Sequence, residues 1–435
     1  MNGRSLLASI NQIKVGTLQE VGGLWSFQYA ESWLNSSNNF ALSPHLPLTK
    51  ELLLDGGSQR PVQWYFDNLL PEEGQRKLLA GDAKLDAADA FGLLIWYGAE
   101  SAGSITLLPT DAEQQINEPL RALSDDDLQV RIRQLPKAPL THAALKRMSL
   151  AGAQHKLAVV LQKNKLFEPA GNTPSTHILK PDHPDEDYPH SVVNEWFVMR
   201  LAKRLDLDVP EVHRRYVPLP VYLIDRFDRT ENAQGWQRQH AIDACQLLGL
   251  DRSFKYAQGS MDNLAKLANA CRSTAAARSG LFNWLIFNIL VGNSDAHLKN
   301  VSFLVSHEGI QLAPFYDMLS VAIYDTPAFD KKGWPTSTQL AWPILGVRHF
   351  ADINRALLLK AGASLNLAEA TAERLLDKLC NRIIAETEAL YVEIEAENTQ
   401  IVYERPELSP TLAGESRCLR TILYNVIKEM VVKIS

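Results

Sequence analysis

The residues best suited to chemistry lie in the run Gly292-Asn293-Ser294-Asp295-Ala296-His297-Leu298-Lys299-Asn300. A carboxylate at Asp295 and an amide at Asn300, five positions apart, suit two linked tasks. The carboxylate meets an attacking hydroxyl, while the amide oxygen turns back to a divalent cation held on phosphates. An extended loop would let both side chains face one cavity. Downstream, the apolar run Val301–Val305, a turn at Ser306–Gly309 and a second run Ile310–Leu312 predict a hairpin. It ends in Pro314-Phe315-Tyr316-Asp317, which returns a second carboxylate, Asp317, to the side of Asn300. Mg²⁺ prefers hard oxygen ligands, and Asn300, Asp317 and phosphate oxygens supply them. Asp295 is therefore the expected catalytic group, and Asn300 and Asp317 the expected metal ligands. Phosphoryl transfer asks mainly for positioning and charge neutralisation, so few groups suffice. An Asx-rich helix-to-strand connection without the hairpin would carry no such implication, since Asp and Asn favour turns for local reasons.

The five-residue offset is that of the D-x-x-x-x-N catalytic loop of protein kinases, although the glycine of their D-F-G is absent after Asp317. Upstream, Lys180 ends a strand-like run, His177-Ile178-Leu179-Lys180, and could neutralise nucleotide phosphates; Glu195 is a candidate ion-pair partner. Alone, a lysine before a proline reads as a solvated strand end. The small-residue stretch Ala151-Gly152-Ala153-Gln154-His155-Lys156 could cradle phosphates with backbone N–H groups, but it lacks the G-x-x-x-x-G-K-[ST] spacing. Asp225-Arg226-Phe227 follows the strand-like Val221–Ile224 and could form a hinge that reads adenine. The plainer reading makes Phe227 core and Arg226–Asp228 a surface ion pair.

These residues need a scaffold. Ile13–Leu18 and Leu24–Tyr29 flank Gly22-Gly23, a hairpin signal. Tyr65–Leu70 followed by Pro71-Glu72 reads as a turn into a helix, with proline at its first position. Ser104–Leu108 reads as a strand. Residues 1–115 form a small α+β subdomain in this reading. Residues 116–145, acidic at Asp125–Asp127 and interrupted by Pro136 and Pro139, read as a linker. Residues 146–230 then hold strands Lys156–Leu161, His177–Lys180 and Val221–Ile224 and a helix Asn194–Leu205, and residues 231–435 read as mainly helical around the hairpin at 301–312. There the candidates are Met261–Ala277, Ser279–Leu290 and Leu367–Glu395. The expected class is α+β, a small subdomain followed by a two-lobed domain with a mainly helical second lobe.

Composition narrows the partners. The chain of 435 residues carries 44 basic and 50 acidic side chains, a formal charge of −6, which argues against charge-driven nucleic-acid binding by the chain alone. Its four cysteines form no CxxC pair, so zinc and disulfide-exchange roles are not expected, and reduced, buried thiols are. No run reaches the ~18 apolar residues of a membrane helix, and the N-terminus lacks a signal-peptide pattern. A cytoplasmic protein without membrane contact is expected.

Together these stretches resemble the HipA family of serine/threonine kinase toxins. The likeness rests on SLAGAQHK, STHILKP, VNEWFVMRLAKRLDLDVPEV, LIDRFDR, CQLLGL, GNSDAHLKN and LAPFYDMLS, in family order across residues 149–320. WSFQYAESWL, YFDNLLPE and SAGSITLLP resemble the family's N-terminal subdomain. The resemblance implies that Asp295 is catalytic, that Asn300 and Asp317 bind Mg²⁺, and that Lys180 and Ala151–Lys156 bind ATP phosphates. It implies further ATP contacts at Asp225, Arg226, Phe227, His297, Lys299 and Tyr316, and autophosphorylation at Ser149. His155 stands where a well-known member has an acidic residue, and residues 325–346 match nothing usable. The resemblance also implies a helix-turn-helix, HipB-like antitoxin as partner, operator DNA through it, and an aminoacyl-tRNA synthetase, notably the glutamyl enzyme, as the phosphorylated target whose loss halts translation. Two other readings stay open on the residues: a small-molecule kinase of the aminoglycoside-phosphotransferase type, and a nucleotide-binding corepressor without turnover.

Overall fold

The computed structural model describes residues 3–110, 119–142, 144, 146, 148, 150–233 and 235–435. Helices and sheets are both present, an α+β fold. The chain forms two compact units, each assembled from three segments: residues 1–181, 223–254 and 302–313, and residues 182–222, 255–301 and 314–435. The consecutive division expected at 115, 145 and 230 does not coincide with this interleaving. Periodicity reports elements, not which distant segments they pack with.

The first unit opens on a five-stranded antiparallel sheet in the order Leu53–Leu54, Leu24–Tyr29, Ile13–Val21, Arg4–Ile10, Ile105–Pro109. Val21 pairs with Leu24 across Gly22-Gly23, the expected hairpin. Leu6, Val15, Leu18, Phe27, Phe66 and Phe91 are buried beneath it. Pro71 is not helical: the helix runs Glu73–Ala83, and Pro71 instead makes a parallel bridge with Gly152.

The stretch expected to be a linker is ordered in its described part. Arg121–Ala122 pairs with the strand Lys165–Glu168, and Asp125–Arg133 is a helix. Ser124 caps it by accepting from the Asp127 N–H at 3.1 Å. Asp125–Asp127 occupy its first turn and Arg131 and Arg133 its last, so the acidic run complements a helix dipole. Arg121 and Arg131 both grip the buried Glu168, at 2.6 and 2.5 Å. A second antiparallel set comprises Leu157–Gln162, Lys165–Glu168 and His177–Pro181. A third joins Ala241–Asp243, Ser302–Ser306 and Gly309–Leu312.

The second unit is helical. Its helices include Ser191–Arg204, Met261–Ala270, Thr274–Leu290, Arg355–Ser364, Glu369–Glu404 and Ser409–Thr421. The single helix expected over Met261–Ala277 is broken at Cys271, which is extended (ψ 140°). The Thr274 hydroxyl donates to the Cys271 carbonyl at 3.1 Å, an alternative to the helix ladder that Ser and Thr provide. Thr274–Leu290 is the central helix, burying Leu281, Phe282, Trp284, Ile286 and Phe287. All four cysteines are buried. Among the described residues no helix is long and apolar enough to cross a membrane.

Candidate active site

Helix Thr274–Leu290 delivers the chain to the site, and Gly292 turns it sharply. Gly292 has φ +68°, and a Cβ there would stand 2.7 Å from both Ala322 Cβ and Val426 Cγ1. A relay of buried amides then sets the loop. Asn288 Nδ2 donates to Trp284 O at 2.8 Å, Asn293 Nδ2 to Asn288 Oδ1 at 2.7 Å, and the Asp295 N–H to Asn293 Oδ1 at 3.1 Å. Asn300 Nδ2 reaches back to the Asp295 carbonyl at 2.9 Å. The segment between is not an extended loop as expected but a short 3-10 turn, Leu298–Asn300. The turn closes Asp295 and Asn300 on each other more tightly than an extended loop could.

Asp317 arrives from the hairpin. The hairpin pairs Phe303 with Leu312, and Ala313 N–H donates to Ser302 O at 2.9 Å, so Val301 and Pro314 continue from adjacent ends. Within the second unit, the Tyr316 hydroxyl donates to the Lys299 carbonyl at 2.9 Å, which ties the residue before Asp317 to the residue before Asn300. Asp317 adopts φ +58°, a left-handed conformation that aspartate tolerates better than most residues. Burial, then the charges of Glu195 and Asp317, push the buried Tyr222 phenol well above its usual range. Glu195 thus faces the same phenol as Asp317.

The donor set fits a hard cation. The Asn300 amide nitrogen is spent on a carbonyl, which leaves its oxygen as the coordinating atom; Asp317 adds a carboxylate. Asn300, His297 and Lys299 are all buried.

Two groups that sequence reasoning missed complete this region. The Tyr256 hydroxyl donates to Asp295 Oδ1 at 2.5 Å. Trp342 Nε1 donates to the Ala296 carbonyl at 3.0 Å, so the segment 325–346, which offered no signal, braces the loop. Asn288 and Asn293 were visible only as polar interruptions of an apolar run.

The first unit holds the remaining predicted residues. Lys156 Nζ donates to the Ala151 carbonyl at 2.7 Å, folding the loop on itself. Gly152 sits at φ +109°, where a Cβ would lie 2.6 Å from that ammonium. Glu72 N–H donates to Gly152 O at 3.2 Å. Ala153 is exposed, and Gln154 and His155 are half-buried. Lys180 is buried in the strand His177–Pro181. His177 Nε2 lies 2.9 Å from Asp225 Oδ1, and Phe227 is half-buried. Ser149 lies outside the described residues.

Arg226 departs from the surface-pair reading. It is buried, with Nε 2.9 Å from Asp228 Oδ1 and Nη2 2.6 Å from Oδ2. Its backbone N–H donates to Thr176 O at 2.9 Å. This pair belongs to a buried cluster centred on Glu100, which meets Lys146 at 2.9 Å, Arg229 at 2.9 Å and Arg238 at 2.7 Å. Burial alone would raise the Glu100 carboxyl, but Lys146, Arg238, Arg229 and Arg226 together hold it well below the usual carboxylate range. The Arg226 side chain is thus directed into the core, and Asp225 and Phe227 are the members of the triplet left partly exposed.

Several known proteins are similar to this chain. Residues 148–387 match the HipA-like C-terminal domain, and residues 6–108 match the HipA N-terminal domain. The putative kinase Y4mE of Sinorhizobium fredii is 34% identical over 390 residues, 86% of this chain and 90% of its own. The serine/threonine-protein kinase toxin HipA of Shewanella oneidensis is 33% identical over 324 residues, 69% of this chain and 71% of its own. Among solved structures, a Shewanella oneidensis toxin–antitoxin complex of HipA, HipB and operator DNA contains a chain with TM-score 0.78 and 27% identity, covering 98% of this chain and 97% of that one.

Proposed function

The chain belongs to the HipA family, as an ATP-dependent serine/threonine-protein kinase of the toxin type, and on that premise we propose that Asp295, Asn300 and Asp317 carry the transfer. Asp295 orients a serine or threonine hydroxyl in line with the γ-phosphorus. As the new O–P bond forms and the bond to the β–γ bridging oxygen breaks, the acceptor proton passes late to the carboxylate. Asn300 Oδ1 and the Asp317 carboxylate are the proposed Mg²⁺ ligands; the ion supplies charge neutralisation on the phosphates. Lys180, Lys156 and the backbone of Ala151–His155 are proposed to bind ATP phosphates. Asp225 and Phe227, with the backbone of Arg226, are proposed adenine contacts. His297, Lys299 and Tyr316 shape the site around them.

One observation carries this reading. The Asn300 amide bonds the Asp295 carbonyl, and the Tyr316 hydroxyl bonds the Lys299 carbonyl, which ties the residue before Asp317 to the turn that carries Asn300 and supports a shared site for the three side chains. The test is Asp295→Gln, incubated with [γ-³²P]ATP, Mg²⁺ and a soluble bacterial lysate. Incorporation into protein should fall about 100-fold or more with an unchanged melting midpoint. Equal incorporation would remove Asp295 from its role, and label in a metabolite with none in protein would turn the reading toward a small-molecule kinase.

The acceptor we propose is an aminoacyl-tRNA synthetase, with the glutamyl enzyme first, so that transfer arrests translation and growth. Ser149 is the proposed autophosphorylation site. A HipB-like helix-turn-helix antitoxin is the proposed partner, and operator DNA is reached through it, which suits a chain of net charge −6. The Shewanella oneidensis structure, of HipA with HipB and operator DNA, supports that assembly. The proposed location is the cytoplasm.

A further inference from the structure

We propose that Tyr256 is a positioning residue for phosphoryl transfer, its phenol fixing one oxygen of Asp295 so that the other meets the acceptor hydroxyl. The inference rests on Asp295 being the catalytic carboxylate. Tyr256 Oη donates to Asp295 Oδ1 at 2.5 Å, from a residue 39 positions away in sequence. Hydrogen bonds to an ionised acceptor are short and roughly twice as strong as neutral ones. The other bonds to Asp295 hold only its backbone: Asn293 takes the N–H, and Asn300 and the His297 N–H take the carbonyl. Among the described residues Tyr256 alone donates to the carboxylate, so rotation of that group about its side-chain torsions is set from this one side.

The tyrosine is itself placed from the catalytic turn. The carbonyl of the preceding residue, Lys255, accepts from the Leu298 N–H at 3.1 Å, which pins the base of Tyr256 to the turn that carries Asn300. Lys255 Nζ lies 5.1 Å from the ring centroid, and the His297 ring meets it edge-on at 5.0 Å. With 39% of its surface exposed, the side chain is poorly accounted for by core packing. A ring contacted by Lys255 and His297, with its hydroxyl on a catalytic oxygen, suits alignment of that oxygen. Alignment matters because small displacements of a reacting group cost large factors in rate.

Tyr256→Phe keeps the ring and deletes the donor. Under Mg²⁺ and [γ-³²P]ATP, with a soluble bacterial lysate as acceptor, kcat should fall about 10-fold or more. KM for ATP should stay within about 2-fold and the melting midpoint should not move. A rise in rate, which would mean that the phenol blocks the carboxylate, overturns the proposal. So does an unchanged rate, or a loss confined to ATP affinity. Asp295→Gln is run beside it. If that variant is inactive while Tyr256→Phe is wild type, the tyrosine alone loses its role; if Asp295→Gln keeps full incorporation, the catalytic reading and this inference fall together.

Discussion

Four cations of the first unit converge on Glu100, and Glu100→Gln tests how the segment carrying Asp225 and Phe227 is held. In the native protein Lys146, Arg226, Arg229 and Arg238 are balanced by Glu100 and Asp228, and the Ser175 hydroxyl donates to Glu100 Oε1 at 2.8 Å. Glutamine keeps the volume but leaves four buried cations against a single carboxylate. Removing one partner from a buried ion pair costs about 3–5 kcal/mol, chiefly because the other charges stay desolvated. For a unit of about 200 residues that corresponds to a fall of about 10 °C in apparent melting midpoint. The pH dependence has a defined sign. Folding lowers the Glu100 pKa, so its contribution is complete above the unfolded-state value and is lost as pH falls through the folded one. Calorimetry or circular dichroism should therefore show a gap between wild type and Glu100→Gln that is constant from pH 6 to 8 and narrows below about pH 4. Added salt should change it little, because the cluster is shielded from solvent. A midpoint within about 2 °C of wild type at pH 7 would refute the claim that this carboxylate holds the cluster together.

Two further outcomes, at the turn into the Asp295 loop and at a buried histidine of the first unit, stand beside those stated for Asp295 and Tyr256. Gly292→Ala forces a Cβ to within 2.7 Å of two side chains at φ +68°, and should destabilise the second unit by roughly 1–3 kcal/mol and slow transfer, as seen by thermal melting and label incorporation. A wild-type midpoint would argue that the turn is not constrained. His240 is enclosed by Tyr65, Ser104 and the Leu42 carbonyl, and burial lowers its pKa to about 4. The unfolded chain then binds the extra proton between about pH 4 and 6.5, so stability rises with pH across that window and is flat above it. His240→Gln should flatten that slope in pH-dependent unfolding; an unaltered slope would remove His240 as its source.

What was legible in the sequence was what local spacing encodes. The proposal for Asp295, Asn300 and Asp317 rests on a five-residue offset and a hairpin, which are short-range patterns, and the structure adds the bond from the Asn300 amide to the Asp295 carbonyl. The strands at Leu157, His177 and Ser302 and the helix through Leu290 were legible as apolar runs and periodicity. Tyr256 was not, because its meaning depends on a contact 39 positions away. Arg226–Asp228 looked like a surface pair because adjacent opposite charges usually are solvated; only Glu100, Arg229 and Arg238, which are distant or ambiguous in sequence, show that the pair is internal. The acidic run Asp125–Asp127 reads as linker by composition, yet Ser124 at the cap and arginines one turn or more later are a helix signature, and the structure has a helix there.

The way the loop is held also explains why its spacing could be read at all. Asn293 and Asn300 bond to the backbone of Asp295, Tyr316 bonds to the backbone of Lys299, and Trp342 to the backbone of Ala296. Bonds aimed at N–H and C=O groups fix the path of the chain whatever side chains the turn displays. The offset between the Asp295 carboxylate and the Asn300 amide is then set by backbone geometry. A substitution at Ala296 or Leu298 that preserves volume leaves those backbone bonds in place, whereas loss of Asn293, whose amide oxygen meets the Asp295 N–H, removes a support that no neighbouring side chain in the relay duplicates.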